Sequence, residues 1–399
     1  MKQFSTIANN LIGQPMFHLL KRAKDMEQKG NKIIHFEIGD PNFDSPESAV
    51  IEAKLALDNK LTHYTDSMGL LEFRKEICEY TKKYWNFKPL VEQVLECPAN
   101  AVIDFVIRCT ANPGEEVIYP DPGFSTYHSA INYNGMIPVG IKLKEENNFR
   151  MNPEDVRKSI TDNTKLIIIN TPNNPTGSMM TESEVLEISK ISEENDIYLL
   201  SDEVYSRIVY NKTHYSPSIL DKCKERCIIL NSLSKTYSMS GWRLGYAIGP
   251  DKLIEKMGLL LQTIISCQPI FTQLGGSSVL KNDNGFFDKY ITELRKRRDI
   301  LIDGINKIPG VFCVIPEGSI YVFINIRDTG MSSDVYAESL LLNTGVCVLP
   351  GTCFGKYGEG YIRLCYASTS IEEIKESIIK IKKFHIDFGI YRTICSYKK

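Results

Sequence analysis

Ser232-Leu233-Ser234-Lys235-Thr236-Tyr237-Ser238-Met239-Ser240-Gly241-Trp242-Arg243 stands one residue beyond the apolar run Cys227-Ile228-Ile229-Leu230. The run reads as a buried strand, and the Ser/Gly-rich stretch as the loop at its mouth. A lysine in such a place can be stripped of water, which lowers its pKa and makes it a nucleophile toward an aldehyde. The serines and Arg243, eight residues after Lys235, suit a phosphate dianion: the guanidinium clamps it and the hydroxyls add neutral donors. Pyridoxal phosphate (PLP) is a small molecule that carries both an aldehyde and a phosphate.

Three more segments bear on the same chemistry. Asn170-Thr171-Pro172-Asn173-Asn174-Pro175-Thr176-Gly177 follows the strand-like run Lys165-Leu166-Ile167-Ile168-Ile169. Ile197-Tyr198-Leu199-Leu200-Ser201-Asp202-Glu203-Val204-Tyr205 is an apolar strand that ends in an acid. Tyr361-Ile362-Arg363-Leu364-Cys365-Tyr366-Ala367 sets an arginine inside an apolar strand. In this order and spacing, the four segments resemble the class I/II aminotransferases of PLP fold type I, the aspartate aminotransferase-like group. The resemblance runs from about residue 33 to about residue 381.

That resemblance implies an α/β fold, with a mostly parallel central sheet flanked by helices and a smaller α+β domain. It implies PLP as the cofactor and a role for each motif residue. Lys235 holds the cofactor aldehyde and, once displaced, carries the proton between the substrate α-carbon and the cofactor. Asp202 sits at the carboxyl edge of a sheet, where open α/β folds bind ligands, and keeps the pyridine nitrogen protonated so that the ring acts as an electron sink. Tyr205 and Asn174 hydrogen-bond the ring hydroxyl, and a cis Asn174–Pro175 bond goes with that turn. Phe124 stacks on the ring. Ser232 and Arg243 hold the phosphate with the helix start near Asn100 and Ala101, where free backbone N–H groups form an anion site. The turn Cys97-Pro98-Ala99-Asn100-Ala101 departs from the family, which often has glycine and serine or lysine there. Tyr64 matches a tyrosine that reaches the phosphate of a partner subunit, so a homodimer is implied. Arg363 binds the substrate α-carboxylate with its planar fork, and the backbone of Gly39 approaches the same group.

The implied reaction moves an amino group from an L-amino acid to a 2-oxo acid through Lys235. The alternative is a PLP-dependent lyase of the same fold, of the carbon–sulfur lyase type, which needs the same lysine, aspartate and phosphate clamp. The fold is also found attached to winged-helix repressors, and the roughly thirty residues before Ile33 are too few for a DNA-binding domain. Dicarboxylate-specific members carry an extra arginine from the partner subunit, and none occurs in residues 263–272. Arg108 reads as a salt bridge on its helix, with a distal substrate carboxylate as the other reading. Met16 and Phe17 suit a pocket for an apolar side chain.

With 399 residues the chain can bury a large core in two domains. A formal net charge of -2 argues against a nucleic-acid footprint, and the basic run at residues 294–299 reads as one solvated helix face. No apolar stretch is long enough to cross a bilayer, and the first residues lack the apolar core of a secretion signal. Eleven cysteines are scattered among apolar runs, and no pairing with histidine suggests a metal site; a reducing cytoplasm is expected.

The spacing predicts strands near residues 117–119, 166–169, 198–200, 227–230 and 245–248, then 311–315, 321–326 and 361–365. Leu70, Phe73, Ile77, Tyr80 and Tyr84 form one stripe of a helix. A helix is predicted over 102–110, and another over about 284–307. Thr181 with Glu184 and Ser370 with Glu373 read as capping boxes that open helices. The pattern changes near residue 284. Residues 48–283 are therefore assigned to a large PLP-binding domain. Residues 1–47 and 284–399 are assigned to a discontinuous small domain, the N-terminal part of which follows from the resemblance.

Overall fold

The computed structural model describes residues 3–9, 11 and 16–390, with the side chains of residues 6 and 16–18 outside that description. The short strand β1 (Ile34–His35) comes first. Next come β2 (Val94–Glu96), β3 (Glu116–Asp121), β4 (Ile137–Lys142), β5 (Thr164–Asn170), β6 (Tyr198–Asp202), β7 (Cys227–Ser232) and β8 (Gly245–Ile248). These seven make one sheet in the order β2-β8-β7-β6-β5-β3-β4. β8 runs antiparallel to β2 and β7, and every other pair is parallel. Ile167, Ile168 and Ile169 on β5, Leu200 on β6 and Ile228 on β7 are all buried. Such continuous aliphatic content is what a parallel sheet covered by helices on both faces requires.

The second part of the chain adds β9 (Phe312–Cys313), β10 (Tyr321–Asn325), β11 (Val346–Cys347), β12 (Leu349–Pro350) and β13 (Tyr361–Cys365). Four of them form an antiparallel sheet in the order β12-β13-β10-β9. β11 pairs in parallel with β1, so the segment around residue 34 lies against the C-terminal part of the chain. The helices Phe286–Ile305 and Ile371–Asp387 pack together, and Gly304 gives Ile378 its seat: a β-carbon at residue 304 would stand 2.3 Å from Ile378 Cδ1.

Both capping boxes form. Thr181 accepts the Glu184 N–H while Glu184 accepts the Thr181 N–H, and Ser370 and Glu373 do the same. Of the predicted stripe, Phe73, Ile77 and Tyr80 are buried on the helix Leu71–Trp85, while Leu70 is its N-cap and Tyr84 is exposed. The helix predicted from residue 102 begins earlier, at Ala99, because Pro98 is tolerated at a helix start and nothing after it resists helical geometry. The strands β1, β2, β4, β11 and β12 carry no prediction, nor do several helices, among them Glu47–Asp58, Asp251–Ile264, Ile270–Lys281 and Ser333–Thr344, and the strand predicted at 311–315 shrinks to two residues. The basic run at 294–299 is not one solvated face: Arg295, Lys296 and Asp299 are exposed, but the other two arginines are not. Arg297 and Arg298 are each 7% exposed, on the buried side of their helix with Leu294. Arg297 reaches Asn42 Oδ1 and the Ala367 carbonyl, and Arg298 the Pro316 carbonyl, while each guanidinium covers an aromatic ring (Phe43 and Tyr210). Long arginine stems can lie in a core when acceptors meet their heads.

The loop after β12 ties the two sheets together. Phe354 accepts the Gly123 N–H through its carbonyl at 2.8 Å, and Asp121, the last residue of β3, accepts the Tyr357 N–H at 3.2 Å. Gly355 has φ +127°, and a β-carbon there would lie 2.1 Å from Asp121 Oδ1. Gly355→Ala should therefore destabilise the fold by about 2–5 kcal/mol, the sum of a backbone rarely adopted by L-residues and an overpacked contact. Urea denaturation checks this; an unchanged midpoint would contradict the packing described.

Candidate active site

Parallel strands that end side by side bring their last residues together. β5, β6 and β7 are neighbours and end in Asn170, Asp202 and Ser232, with Asn170 and Asp202 in register. These ends border a cavity of about 310 Å³ that is also lined by Lys235, Asn174, Tyr205, Phe124, Asn100, Arg243, Gly39 and Arg363. Ten of the twelve residues singled out in the sequence thus share one cavity. Ala101 does not line it: its N–H, inside the first turn of the helix Ala99–Thr110, donates to the Pro98 carbonyl at 2.8 Å. Tyr64 stands apart and is 86% exposed, in a groove with Cys267, Gln268 and Phe271. Met16 and Phe17 have side chains outside the described part. Arg108 is in a salt bridge with Asp104 one helical turn back, at 3.0 Å, and is not among the cavity residues.

Ser232 caps the short helical turn Leu233–Thr236, accepting the Ser234 N–H at 3.1 Å and donating to the Leu244 carbonyl at 2.8 Å. That turn points Lys235 inward, where Nζ donates to the Gly39 carbonyl at 2.5 Å. Burial lowers the pKa of Lys235, by disfavouring the ammonium. The Tyr290 hydroxyl donates to the Lys235 carbonyl at 2.9 Å and fixes the backbone beneath it.

Asp202 is 5% exposed. Its carboxylate accepts the Tyr127 hydroxyl at 2.5 Å and the Val204 N–H at 3.2 Å. Burial outweighs both bonds and pushes its pKa up from 3.8 to about 6. The cavity lining thus holds a carboxylate with no cationic partner among the described residues, and also Arg243, Ser232, Ser234 and the first residues of the helix Ala99–Thr110. A cationic ring nitrogen facing Asp202 and a phosphate at the helix start would each meet what is provided, so these residues fit PLP.

Arg363, on β13, is 1% exposed. Nη1 donates to Asn174 Oδ1 at 3.2 Å and Nη2 to the Glu37 carbonyl at 2.5 Å, while Nε has no partner among the described residues. Its guanidinium lies between the rings of Tyr321, at 4.3 Å, and Phe354, at 4.7 Å. The Asn174–Pro175 bond is cis, as are Asp121–Pro122 and Thr171–Pro172.

Sequence reasoning passed over Tyr127, Asn170, Tyr321 and Glu37. Asn170 opens a quoted motif, and its side chain bonds the Asn174 N–H and the Asp202 carbonyl. Tyr127 falls three residues after Phe124, on the same side of the helix Ser125–Tyr133. Tyr321 and Glu37 reach the site through tertiary packing, which no local spacing signals. Away from the site, Asp221, Cys223 and Cys227 bring one potential metal ligand each within 4.8 Å of one another. The Asp221 carboxylate already accepts the N–H groups of Cys223, Arg226 and Cys227, so it holds that turn together.

Comparison with known proteins agrees with this geometry. Residues 31–381 match the model of the family "Aminotransferase class I and II". The chain is 38% identical over 370 residues to an aspartate aminotransferase of Pyrococcus horikoshii, covering 92% of this chain and 93% of that protein. It is 36% identical to aromatic-amino-acid aminotransferase 2 of Thermococcus litoralis, covering 91% and 94%. Among solved structures, aspartate aminotransferase from Thermus thermophilus with maleate superposes with a TM-score of 0.92 at 27% identity, covering 96% of this chain and all of that one. The chain belongs to the class I and II aminotransferase family. It is an enzyme that transfers amino groups between amino acids and 2-oxo acids, in the fold type I architecture.

The raised pKa of Asp202 has a measurable sign. Without a ligand, the folded chain keeps this proton up to about pH 6, while an ordinary carboxyl near 3.8 has lost it. The folded state then binds more protons than the unfolded one, so stability falls as pH rises across that window and stays lower above it. Relative to wild type, cofactor-free Asp202→Asn should gain on the order of 2 kcal/mol between pH 4 and pH 8. Urea titrations at the two pH values check this, and a difference between the proteins that does not change with pH would contradict it.

Proposed function

We propose that this enzyme uses PLP and that Lys235 both holds the cofactor and moves the substrate α-proton. The observation that carries the reading is one cavity lined by both a half-buried lysine of lowered pKa and a buried carboxylate with no cationic partner among the described residues. When bound, PLP supplies an electron sink that stabilises negative charge at the substrate α-carbon. Asp202 keeps the ring nitrogen protonated, and Tyr127 holds the Asp202 carboxylate in place. Tyr205 and Asn174 donate to the ring hydroxyl, and Phe124 covers the ring face. Arg243, Ser232 and Asn100 take the phosphate. Arg363 binds the α-carboxylate: its planar fork is already levelled by two aromatic rings, and Nε is free to donate. The Gly39 backbone lies beside that group. With the carboxylate fixed, the α-hydrogen comes within reach of Lys235 Nζ, which takes it from one atom and returns it to another.

The same reading places the substrates as an L-amino acid and a 2-oxo acid. It divides the chain into a large part, residues 48–283, and a small part, residues 1–47 and 284–399. The separate seven-stranded and four-stranded sheets support that division. The ten free thiols among the described residues suit a reducing compartment such as the cytoplasm.

Lys235→Ala should fold, yet lose more than 10³-fold in transamination, since general acid–base work alone contributes ~10²–10⁴-fold. Borohydride reduction of the PLP-loaded wild type should fix the cofactor on the peptide containing Lys235. Fixation on another lysine would overturn the assignment.

The enzyme works as a homodimer in this reading, with Tyr64 acting across the interface. Tyr64 shares its groove with Pro269, Ile270 and Phe271, and Leu61, Ile264 and Ile265 in the adjoining segments are exposed as well, more than isolated surface residues explain. Sedimentation equilibrium should give twice the chain mass of 45.3 kDa, and a single-chain mass at assay concentration would refute the dimer.

A further inference from the structure

Tyr321, the first residue of β10, touches three parts of the site at once and is 2% exposed. Its hydroxyl is 2.9 Å from the Tyr205 hydroxyl. Its ring lies 4.3 Å from the Arg363 guanidinium carbon. Its oxygen would stand 2.0 Å from a β-carbon at residue 39, so the loop after β1 passes this close only because residue 39 is glycine. That loop also offers the carbonyl that receives Lys235 Nζ.

Two hydroxyls at hydrogen-bond distance share one proton. If Tyr205 points its own proton into the cavity, the bridging proton comes from Tyr321, and a hydroxyl that accepts one bond donates the next more strongly. The ring does separate work. A guanidinium stacked between two aromatic faces has its plane fixed, and the plane decides where its fork points. Phe354 alone leaves one face of Arg363 open.

We propose that Tyr321 is a positioning residue for both ends of the reacting pair: its hydroxyl aims the Tyr205 donor, and its ring aims the Arg363 fork. The proposal rests on the functional reading above, in which Tyr205 serves the cofactor and Arg363 the substrate carboxylate. The charged and titratable groups facing Tyr321 are Arg363 and Cys365 on β13, Asp40 in the loop after β1, and Tyr205 after β6. Burial raises its pKa to about 12, so the hydroxyl stays protonated and able to donate throughout the working range.

Two variants separate the functions. Tyr321→Phe keeps the ring and removes the hydroxyl. In the PLP-loaded enzyme it should raise the pH midpoint of the visible absorption change by a few tenths to about one pH unit, the worth of a single net hydrogen bond. KM for amino and oxo acids should stay within about threefold of wild type, because the stacked ring remains. In a Tyr205→Phe background the same change should shift the midpoint no further. Tyr321→Leu removes the ring as well, and should raise KM for both substrates by about tenfold or more. An unmoved midpoint in Tyr321→Phe, or an equal shift with Tyr205 already replaced, would overturn the hydroxyl's role. An unchanged KM in Tyr321→Leu would overturn the ring's role. Failure of the functional reading itself shows separately, as borohydride fixation away from Lys235.

Discussion

Three ionisable side chains line one cavity, Asp202 and Arg363 buried and Lys235 half-buried, and each is hydrogen-bonded only to neutral groups of its own chain. Asp202 has a tyrosine hydroxyl and a backbone N–H, Lys235 a backbone carbonyl, and Arg363 an amide oxygen and a carbonyl. Buried charges are costly without an opposite charge, and most proteins pair them internally. Here no ion pair among the described residues joins the three to one another or to other groups. In the proposed reading the ligands supply what is missing: a cationic ring nitrogen for Asp202, a carboxylate for Arg363, and for Lys235 an aldehyde carbon that its neutral amine can attack. Ligand recognition and charge compensation are then one event.

The fold bears this strain through backbone placement. Asn170, Asp202 and Ser232 end adjacent strands, so three motif residues are spaced by the ladder itself. Lys235 is aimed by a serine-capped turn from above and by the Tyr290 hydroxyl from below. Arg363 comes from the other sheet, and its position depends on the contact between the two. Asp121 and Gly123 hold the loop that carries Phe354, while β1 pairs with β11 and carries the chain toward Gly39. The proposed carboxylate site is thus built where the two sheets meet, and the proposed cofactor site mostly on one sheet.

That difference explains what could be read from the sequence. Asp202 and Arg363 announce themselves because each ends or interrupts an apolar run, and Lys235 and Asn174 because each stands in a polar loop just beyond one. Gly245–Ile248 and Tyr361–Cys365 could be bounded to the residue for the same reason. Tyr321 begins an apolar strand that looks ordinary, and its meaning depends on Tyr205 and Arg363, which lie 116 and 42 positions away. The burial of Arg297 and Arg298 is not legible in the sequence, because charge alone gives no hint of carbonyls and aromatic rings waiting in the core. The sequence puts Ala101 in the turn ahead of a helix beginning at residue 102; the helix starts at Ala99 instead, so the Ala101 N–H is spent inside its first turn.

The central claim is that an amino group passes onto the protein-bound cofactor and waits there for a second acceptor. Its most direct test is the stoichiometry of a half-reaction. PLP-loaded enzyme is mixed with an amino acid, with no 2-oxo acid present, and 2-oxo acid and ammonia are both counted. The account predicts one equivalent of 2-oxo acid per chain, no free ammonia, and arrest until a 2-oxo acid is added. Continued release of ammonia without an acceptor would contradict it and indicate a lyase built on the same site.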